Sequence, residues 1–380
     1  MDRVVLHVGM PKTGTTSLQS TLFWKEPDPK FRLITLDTFF GNRTLWASFS
    51  EGGDRTSRFF SATLPNWYLP RFRRESTAYL RKALQVCKRR QITPVLSAEE
   101  VWAFSKESLS SLKSFLEQEG FHVHVVGYIR PLVEFYQSTL QQVVKTGGVP
   151  IVDRFSYLES RYAEFLSLHR EVFGTDHVHF YVFDPKVFPE GCVVKHFCKE
   201  IGLSLADTQV LRENEAVNIN ITKFLYAWNR VYLRHRFGFL TRIRRRLVLE
   251  SLAGLPGGGL RFHPDFVDRV QDGVSEEFRQ LRDSQGKEIP VTLSQKRGLD
   301  GLLNDSDWEV FSEESLCWLA EQTGTRVVSE AQVSQRVDRV VRQLNRLMWL
   351  RGWRVILRLF GNEVRLRIRR MQLKAFYRNT

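Results

Sequence analysis

The sequence predicts an α/β fold in which a central parallel β-sheet is flanked by helices and followed by a mainly helical C-terminal part. Strand patterns and helix patterns alternate over about the first 200 residues, and parallel strands require helical connections of this kind. A turn-forming segment at residues 9–14 separates the first strand from the first helix. Parallel strands end at one edge of their sheet, so we expect ligand-binding groups to gather at that edge.

Four strands are predicted from runs of apolar and β-branched residues that stop at turn-forming or charged residues. Ser105 is a good N-cap for one of the helices between them, and Pro131 can open another helix at its first position. The predicted strands cover residues 3–8, 93–97, 122–129 and 178–183, and the main predicted helices begin at residues 15, 74, 105 and 131.

Length and composition describe a globular chain. The 380 residues are 42% hydrophobic and 26% charged, and they suffice for one large domain or two. Four scattered cysteines do not form a disulfide framework, which favours a reducing compartment. The apolar run at residues 4–8 is too short for a signal peptide, and no run reaches the length of a membrane-spanning helix. We therefore expect a cytoplasmic protein.

Positive charge is concentrated in two parts of the chain. The net charge is +14, and residues 326–380 hold 14 Arg or Lys against 3 acidic residues. A second cluster at residues 230–246 has seven arginines and no acidic residue. Such clusters attract polyanions and anionic membrane surfaces. We expect a main domain over residues 1–325, with a flexible Gly-rich segment near 254–259 as a candidate lid hinge, and a basic helical extension over 326–380.

The segment between the first strand and the first helix is a predicted anion site. Backbone amides of a tight loop and of a helix N-terminus bind phosphate groups. A Walker A loop places a lysine directly after its last glycine, but here Thr15 fills that position and Lys12 comes earlier. We find no acidic strand end of the Walker B type, which disfavours an ATPase or kinase. The predicted phosphate ligands are Lys12, Thr13, Gly14, Thr15, Thr16 and Ser17.

A second anion site is predicted after the strand at residues 122–129. Arg130 follows this strand, and an arginine binds a phosphate group through two parallel hydrogen bonds. Ser138 comes eight residues later, and the two residues are predicted to lie on one helix face, two turns apart. Arg130 and Ser138 are therefore predicted to bind a second phosphate group of the same ligand.

Together these motifs resemble those of PAPS-dependent sulfotransferases, particularly the branch with bacterial and glycan-modifying members; PAPS is 3′-phosphoadenosine 5′-phosphosulfate. Residues 7–18 resemble the family's 5′-phosphosulfate loop, and residues 125–138 resemble its 3′-phosphate motif. The resemblance covers residues 2–25 and 92–142 well and residues 177–226 weakly. It implies a P-loop-like fold and transfer of a sulfuryl group from PAPS to a hydroxyl or amine, with the bisphosphate PAP as product and no required metal.

The resemblance also implies a general base at the end of the strand between the two motifs. Cytosolic members of the family place a histidine there and many glycan-directed members a glutamate, whereas this chain has Glu99 followed by Glu100. Glu99 is the predicted base, with Glu100 as the alternative. Both carboxylates would also suit the approach to a helix capped at Ser105. Lys12 is predicted to stabilise the leaving group and the transferring group.

The acceptor and the basic C-terminal region are left open by the sequence. A carbohydrate or glycolipid is the expected acceptor, and a lipid, a peptide or a small phenol would also fit a hydroxyl-directed site. A basic amphipathic pattern at residues 339–360 fits a peripheral contact at the inner membrane surface, a groove for an acidic saccharide, or a helix packed on the domain. No nucleic-acid recognition motif is found, so nucleic acid is not a predicted partner. Two other functions stay open, an ATP-dependent P-loop kinase and a non-catalytic module that binds anions or membranes.

Overall fold

A computed structural model describes most of the chain. It covers residues 2–35, 43–50, 69–152, 156–206, 210–211, 217–232, 248–249, 252–293 and 301–323. The predicted basic extension at 326–380 and most of the arginine cluster at 230–246 lie outside the described residues. The membrane and saccharide contacts considered for that extension therefore stay predictions.

Five parallel strands form one sheet, in the spatial order β2-β3-β1-β4-β5. The predicted α/β fold with a central parallel sheet is therefore confirmed, and each of the four predicted strands is present. The additional strand is β2, which is only three residues long and too short to show a strand pattern. The strands are β1 Asp2–Gly9, β2 Phe31–Leu33, β3 Thr93–Ala98, β4 Phe121–Ile129 and β5 Val178–Val182.

Helices connect the strands and continue after the last of them. They are α1 Thr15–Lys25, α2 Arg43–Phe49, α3 Leu69–Arg89, α4 Lys106–Gln118, α5 Leu132–Lys145, α6 Ser156–Phe173, α7 Val193–Ile201, α8 Ile219–Tyr232, α9 Pro264–Gly273, α10 Glu276–Arg279 and α11 Glu313–Thr323. Ser105 caps α4 as predicted, since its hydroxyl accepts a hydrogen bond from the Ser108 amide. Among the described residues, no helix has both the length and the apolar character to cross a membrane.

The core lies around β1 and β4, two of the three inner strands of the sheet. Because helices cover a parallel sheet on both faces, its inner strands are continuously apolar rather than alternating. The side chains of β1 follow this rule, and Val4, Val5, Leu6 and Val8 have no solvent exposure. Gly9 at the end of β1 pairs with Tyr128 near the end of β4. β1 and β4 therefore end side by side, and the buried core fixes where the following loops begin.

The strand order places a crevice between the carboxyl ends of β1 and β4. The chain leaves β1 for β2 on one side of the sheet and leaves β4 for β5 on the other. Where neighbouring strands send their connections in opposite directions, the loops separate and leave room for a ligand. The two predicted anion sites follow these two strands, so the topology brings both to one crevice.

The Gly-rich segment at 254–259 is held by hydrogen bonds to its carbonyl groups. Asn218 Nδ2 donates to the Leu255 carbonyl at 2.5 Å, and Asn220 Nδ2 donates to the Pro256 carbonyl at 2.9 Å. The amide of Ile219 donates to the Gly258 carbonyl at 2.8 Å. These bonds attach the segment to the first turn of α8. The flexible hinge at this segment stays a prediction.

Candidate functional site

The loop after β1 is a tight turn with two residues in the left-handed region. Lys12 has φ 72° and Gly14 has φ 82°, and the Thr13 hydroxyl donates to the Met10 carbonyl at 2.8 Å. A Cβ atom on Gly14 would lie 2.6 Å from Val193 Cγ1, so a glycine is required there by packing as well as by φ. The loop therefore holds a strained conformation at Lys12, as functional loops often do.

The loop leads into α1, whose first turn carries three hydroxyl groups. Gly14 is the N-cap of α1 and provides no side-chain cap. Thr15 is 1% exposed, and its hydroxyl has no hydrogen-bond partner among the described residues. Thr16 and Ser17 complete the first turn and are half-buried. A buried hydroxyl without a partner is destabilising, and a ligand oxygen at the helix N-terminus would satisfy it.

Arg130 reaches this loop from the end of β4. Its guanidinium Nη1 donates to the Lys12 carbonyl, and the guanidinium lies 5.3 Å from the centroid of the Phe183 ring. The Arg130 carbonyl accepts a 2.6 Å hydrogen bond from the Tyr162 hydroxyl, which fixes the backbone. Arg130 Nε is buried and has no partner among the described residues. The structure therefore brings the two predicted anion sites together, and Arg130 retains a donor for a ligand.

One geometric expectation for Arg130 and Ser138 is wrong. Arg130 precedes α5, which begins at Leu132 with Pro131 as its N-cap rather than its first residue. Arg130 therefore approaches from a strand end, because a residue before a proline is kept out of the helical conformation. Ser138 does lie on α5 and is half-buried.

Gln142 is a site residue that sequence reasoning missed. Lys12 Nζ donates to Gln142 Oε1 at 2.5 Å. Gln142 follows Ser138 by four residues, so the two share the face of α5 that is turned towards Lys12. The helical spacing from Ser138 was the available signal, but glutamine on a helix is too common for this spacing to identify it.

Lys12 is an ammonium group in a crowded electrostatic setting. The pKa of Lys12 is lowered to about 8: burial is the main cause, the charges of Lys145 and Arg130 also lower it, and the nearby Glu99 carboxylate opposes them. Burial likewise lowers the pKa of Arg130 and the pKa of Lys145. Taking these cations out of water without a bound anion is unfavourable, so a ligand with several negative charges would stabilise them together.

The structure places Glu99 at the carboxyl end of β3 and close enough to Lys12 for each to affect the other's pKa. Burial raises the pKa of Glu99, and the Lys12 ammonium partly offsets this. Glu99 precedes the 3₁₀ turn Glu100–Ala103 but makes no side-chain cap there. Its carboxylate is therefore not used to cap a helix. Glu100 is buried, with 7% exposure, at the start of that turn.

A buried hydrogen-bond network lies beneath the loop after β1. His7 Nδ1 lies 2.8 Å from the Ser97 hydroxyl, and Gln19 Nε2 donates to the Ser97 carbonyl at 2.9 Å. These contacts join β1, β3 and α1 beneath the loop. Burial lowers the pKa of His7 to about 3, so this imidazole stays neutral at physiological pH. His7 therefore acts in packing and hydrogen bonding.

Comparisons with known proteins give a distant likeness. No family model matches the chain, and no curated protein matches it. Among solved structures, the chain is similar to a sulfotransferase from Alicyclobacillus acidocaldarius, with 16% sequence identity and a TM-score of 0.33 over 60% of this chain and 93% of that one. At this similarity the family membership of the chain stays a proposal. Among the described residues, no group of three or more His, Cys, Asp or Glu side chains is arranged to hold a metal ion.

Proposed function

We propose that this chain is a PAPS-dependent sulfotransferase. The contact between the Arg130 guanidinium and the Lys12 carbonyl carries the proposal, because it joins the two predicted phosphate sites at one crevice. PAPS has a phosphosulfate at one end of its adenosine and a phosphate at the 3′ position, and so needs two neighbouring anion sites. ATP has no 3′-phosphate and gives Arg130 and Ser138 no partner of this kind.

The residues fit such a ligand. The phosphosulfate would lie against the loop and the N-terminus of α1, where the buried Thr15 hydroxyl has no partner among the described residues. The 3′-phosphate would lie between Arg130, whose Nε is likewise without a partner in the described part of the chain, and Ser138 on α5. Lys12 would stand between the two groups.

The chemical step follows from these positions. Bound PAPS would supply the sulfuryl group, whose bond to the 5′-phosphate oxygen breaks as the acceptor oxygen bonds to sulfur. Glu99 accepts the proton of the acceptor hydroxyl, and its raised pKa makes it a stronger base than an exposed carboxylate. Lys12 exchanges its hydrogen bond with Gln142 for one to the leaving oxygen and stabilises the negative charge there.

Two alternative functions predict other results when nucleotide binding and turnover are measured. An ATP-dependent kinase would bind ATP with Mg²⁺ in preference to PAP, and a non-catalytic anion-binding module would bind PAP without turnover. Thr15 in the place of the Walker A lysine favours the sulfotransferase. We propose a carbohydrate or glycolipid as the acceptor, and a peripheral membrane contact would bring the protein near a lipid-linked one.

Calorimetric titration with PAP tests the nucleotide site. We expect Arg130→Ala to weaken PAP binding by about 30-fold or more, because it removes a charged partner of the 3′-phosphate. Arg71→Ala is the matched control, since Arg71 is exposed on α3 and forms an ion pair with Glu75 on the same helix. Unchanged PAP affinity in Arg130→Ala, or tighter binding of ATP than of PAP by the wild type, would contradict the proposal.

A further inference from the structure

One face of α5 carries three polar side chains in line. Ser138, Gln142 and Lys145 are separated by four and three residues, which places them on one side of the helix. Because an α-helix rises 1.5 Å per residue, Gln142 lies roughly 6 Å and Lys145 roughly 10 Å beyond Ser138 along the axis. The face therefore orders three groups at increasing distance from the proposed 3′-phosphate site.

The contact of Lys12 with Gln142 shows that this face of α5 is turned towards the loop after β1. Lys12 Nζ donates to Gln142 at the middle of the face. Lys145 lies one turn of α5 beyond Gln142, and its charge lowers the pKa of Lys12. Lys145 is half-buried rather than extended into solvent. The last turn of α5 therefore contributes a cation to the crevice.

The C-terminal end of α5 is held in place by α8. Asn229 is 2% exposed, and its Nδ2 donates to the Val144 carbonyl at 2.8 Å and to the Gly148 carbonyl at 2.9 Å. These bonds satisfy backbone groups at and just beyond the end of the helix. Lys145 is thus attached to a fixed piece of backbone, which suits a group that selects a ligand.

The three cations of the crevice have different positions relative to the proposed nucleotide. Arg130 and Ser138 would hold the 3′-phosphate, and Lys12 would hold the transferring group. Lys145 lies one turn of α5 beyond Gln142, the residue that Lys12 contacts, and so farther along the helix from Ser138. The Glu99 carboxylate acts on Lys12, and a negatively charged acceptor would be repelled by Glu99 unless a cation stood nearby.

We propose that Lys145 selects an acceptor that carries its own negative charge, a carboxylate or an existing sulfate group, near the hydroxyl to be sulfated. This inference rests on the proposed function. It identifies the acceptor class as acidic rather than neutral saccharide. The alternative is a purely structural role for Lys145, because a lysine in the last turn of a helix also interacts favourably with the helix dipole.

Binding of two matched glycosides to the PAP-loaded protein tests the inference. p-Nitrophenyl β-D-glucuronide and p-nitrophenyl β-D-glucoside differ by a carboxylate in place of a hydroxymethyl group, and calorimetry measures their affinities. We expect the wild type to prefer the glucuronide by about tenfold, and Lys145→Gln to reduce that preference to about twofold or less. Lys145→Arg should keep most of it. Lys113→Gln is the control, because it removes the same charge from the surface of α4.

Each outcome decides between the two roles of Lys145. Equal binding of both glycosides by the wild type would overturn the inference, and so would a fall in thermal stability of Lys145→Gln with the glucuronide preference intact. A loss of PAP affinity of about tenfold in Lys145→Gln would assign this lysine to the nucleotide instead. Failure of the wild type to bind PAP would contradict the proposed function itself, which separates the two failures.

Discussion

The Lys12 ammonium donates a 2.5 Å hydrogen bond to the Gln142 amide oxygen and so joins the loop after β1 to the helix after β4. The bond connects residues 130 positions apart. It gives a half-buried lysine a neutral partner in place of a carboxylate. A neutral partner is readily exchanged, and this matters because in the proposed reaction Lys12 turns to the leaving oxygen.

Replacing Gln142 by glutamate would make that exchange harder. An opposite charge favours the protonated amine, so the pKa of Lys12 should rise from about 8. We expect kcat to fall by about tenfold, since one pKa unit between two states corresponds to that factor. The rise in the pKa of Lys12 and the fall in kcat are both measured from the pH dependence of kcat, with PAPS and an acceptor that the protein sulfates.

Gln118→Glu controls for the added charge, because Gln118 is exposed at the end of α4. PAP affinity should change less than kcat in Gln142→Glu, since the substitution leaves Arg130 and Ser138 in place. A kcat within about twofold of the wild type would show that Lys12 does not need to leave Gln142.

Glu99→Gln separates catalysis from stability. Burial raises the pKa of Glu99, so the folded pKa lies above the unfolded one and the ionised carboxylate destabilises the fold at neutral pH. The smaller attraction to Lys12 does not cancel this. Glutamine removes the charge, so the melting temperature at pH 7 should rise while turnover falls by about 100-fold or more, as for a lost general base.

Glu100→Gln is the matched control for Glu99→Gln. It should keep turnover, because Glu99 is the proposed base and its charge acts on Lys12. PAP affinity should stay within about threefold of the wild type in both variants. Loss of turnover in Glu100→Gln alone would make Glu100 the base.

The sequence was sufficient for the order of the main elements. β1, β3 and β4 are buried runs that the amino-acid pattern reveals without knowledge of their neighbours. β2 is different, because its three residues are defined by pairing with β3 rather than by composition. Its existence depends on a tertiary contact that no local pattern contains.

The site was predictable in its parts but not in its contacts. Glycine and proline rules locate the loop and the approach of Arg130, and the resemblance supplies a role for Ser138. The bonds from Arg130 and Lys12 depend on how β4 and α5 stand beside β1, so Gln142 and Lys145 emerge only from the fold. Similarly, the hydrogen bonds to the segment at 254–259 come from distant asparagines, which its glycine content does not indicate.

Gly14→Ala should destabilise the loop more than a backbone argument alone predicts. Gly14 and Gly202 both have positive φ, at 82° and 76°, but an added Cβ meets Val193 at position 14 and nothing within 4 Å at position 202. We expect Gly202→Ala to lower the free energy of unfolding by about 1 kcal/mol and Gly14→Ala by about 2–4 kcal/mol. Urea unfolding measures both, and equal losses would show that Val193 moves aside at no cost.

Three histidines should make the fold less stable in mild acid. Burial is the main cause that lowers the pKa of His7 to about 3 and the pKa of His124 and of His169 to about 4, from 6.5. The unfolded chain therefore binds more protons than the fold below pH 6.5, and stability that is fully present above that pH is lost as the pH falls towards 4.

His124 is the most suitable of the three to test, because it is only partly buried, on β4. Its ring lies 4.6 Å from that of His179, and the charges of His179, Arg3 and His177 add to the lowering of its pKa while Glu200 opposes it. His124→Asn should reduce the difference in free energy of unfolding between pH 7 and pH 5 by about 1 kcal/mol. His122→Asn, which removes an exposed histidine from the same strand, is the control. An unchanged pH dependence in His124→Asn would mean that its imidazole is protonated as easily in the fold as in the unfolded chain.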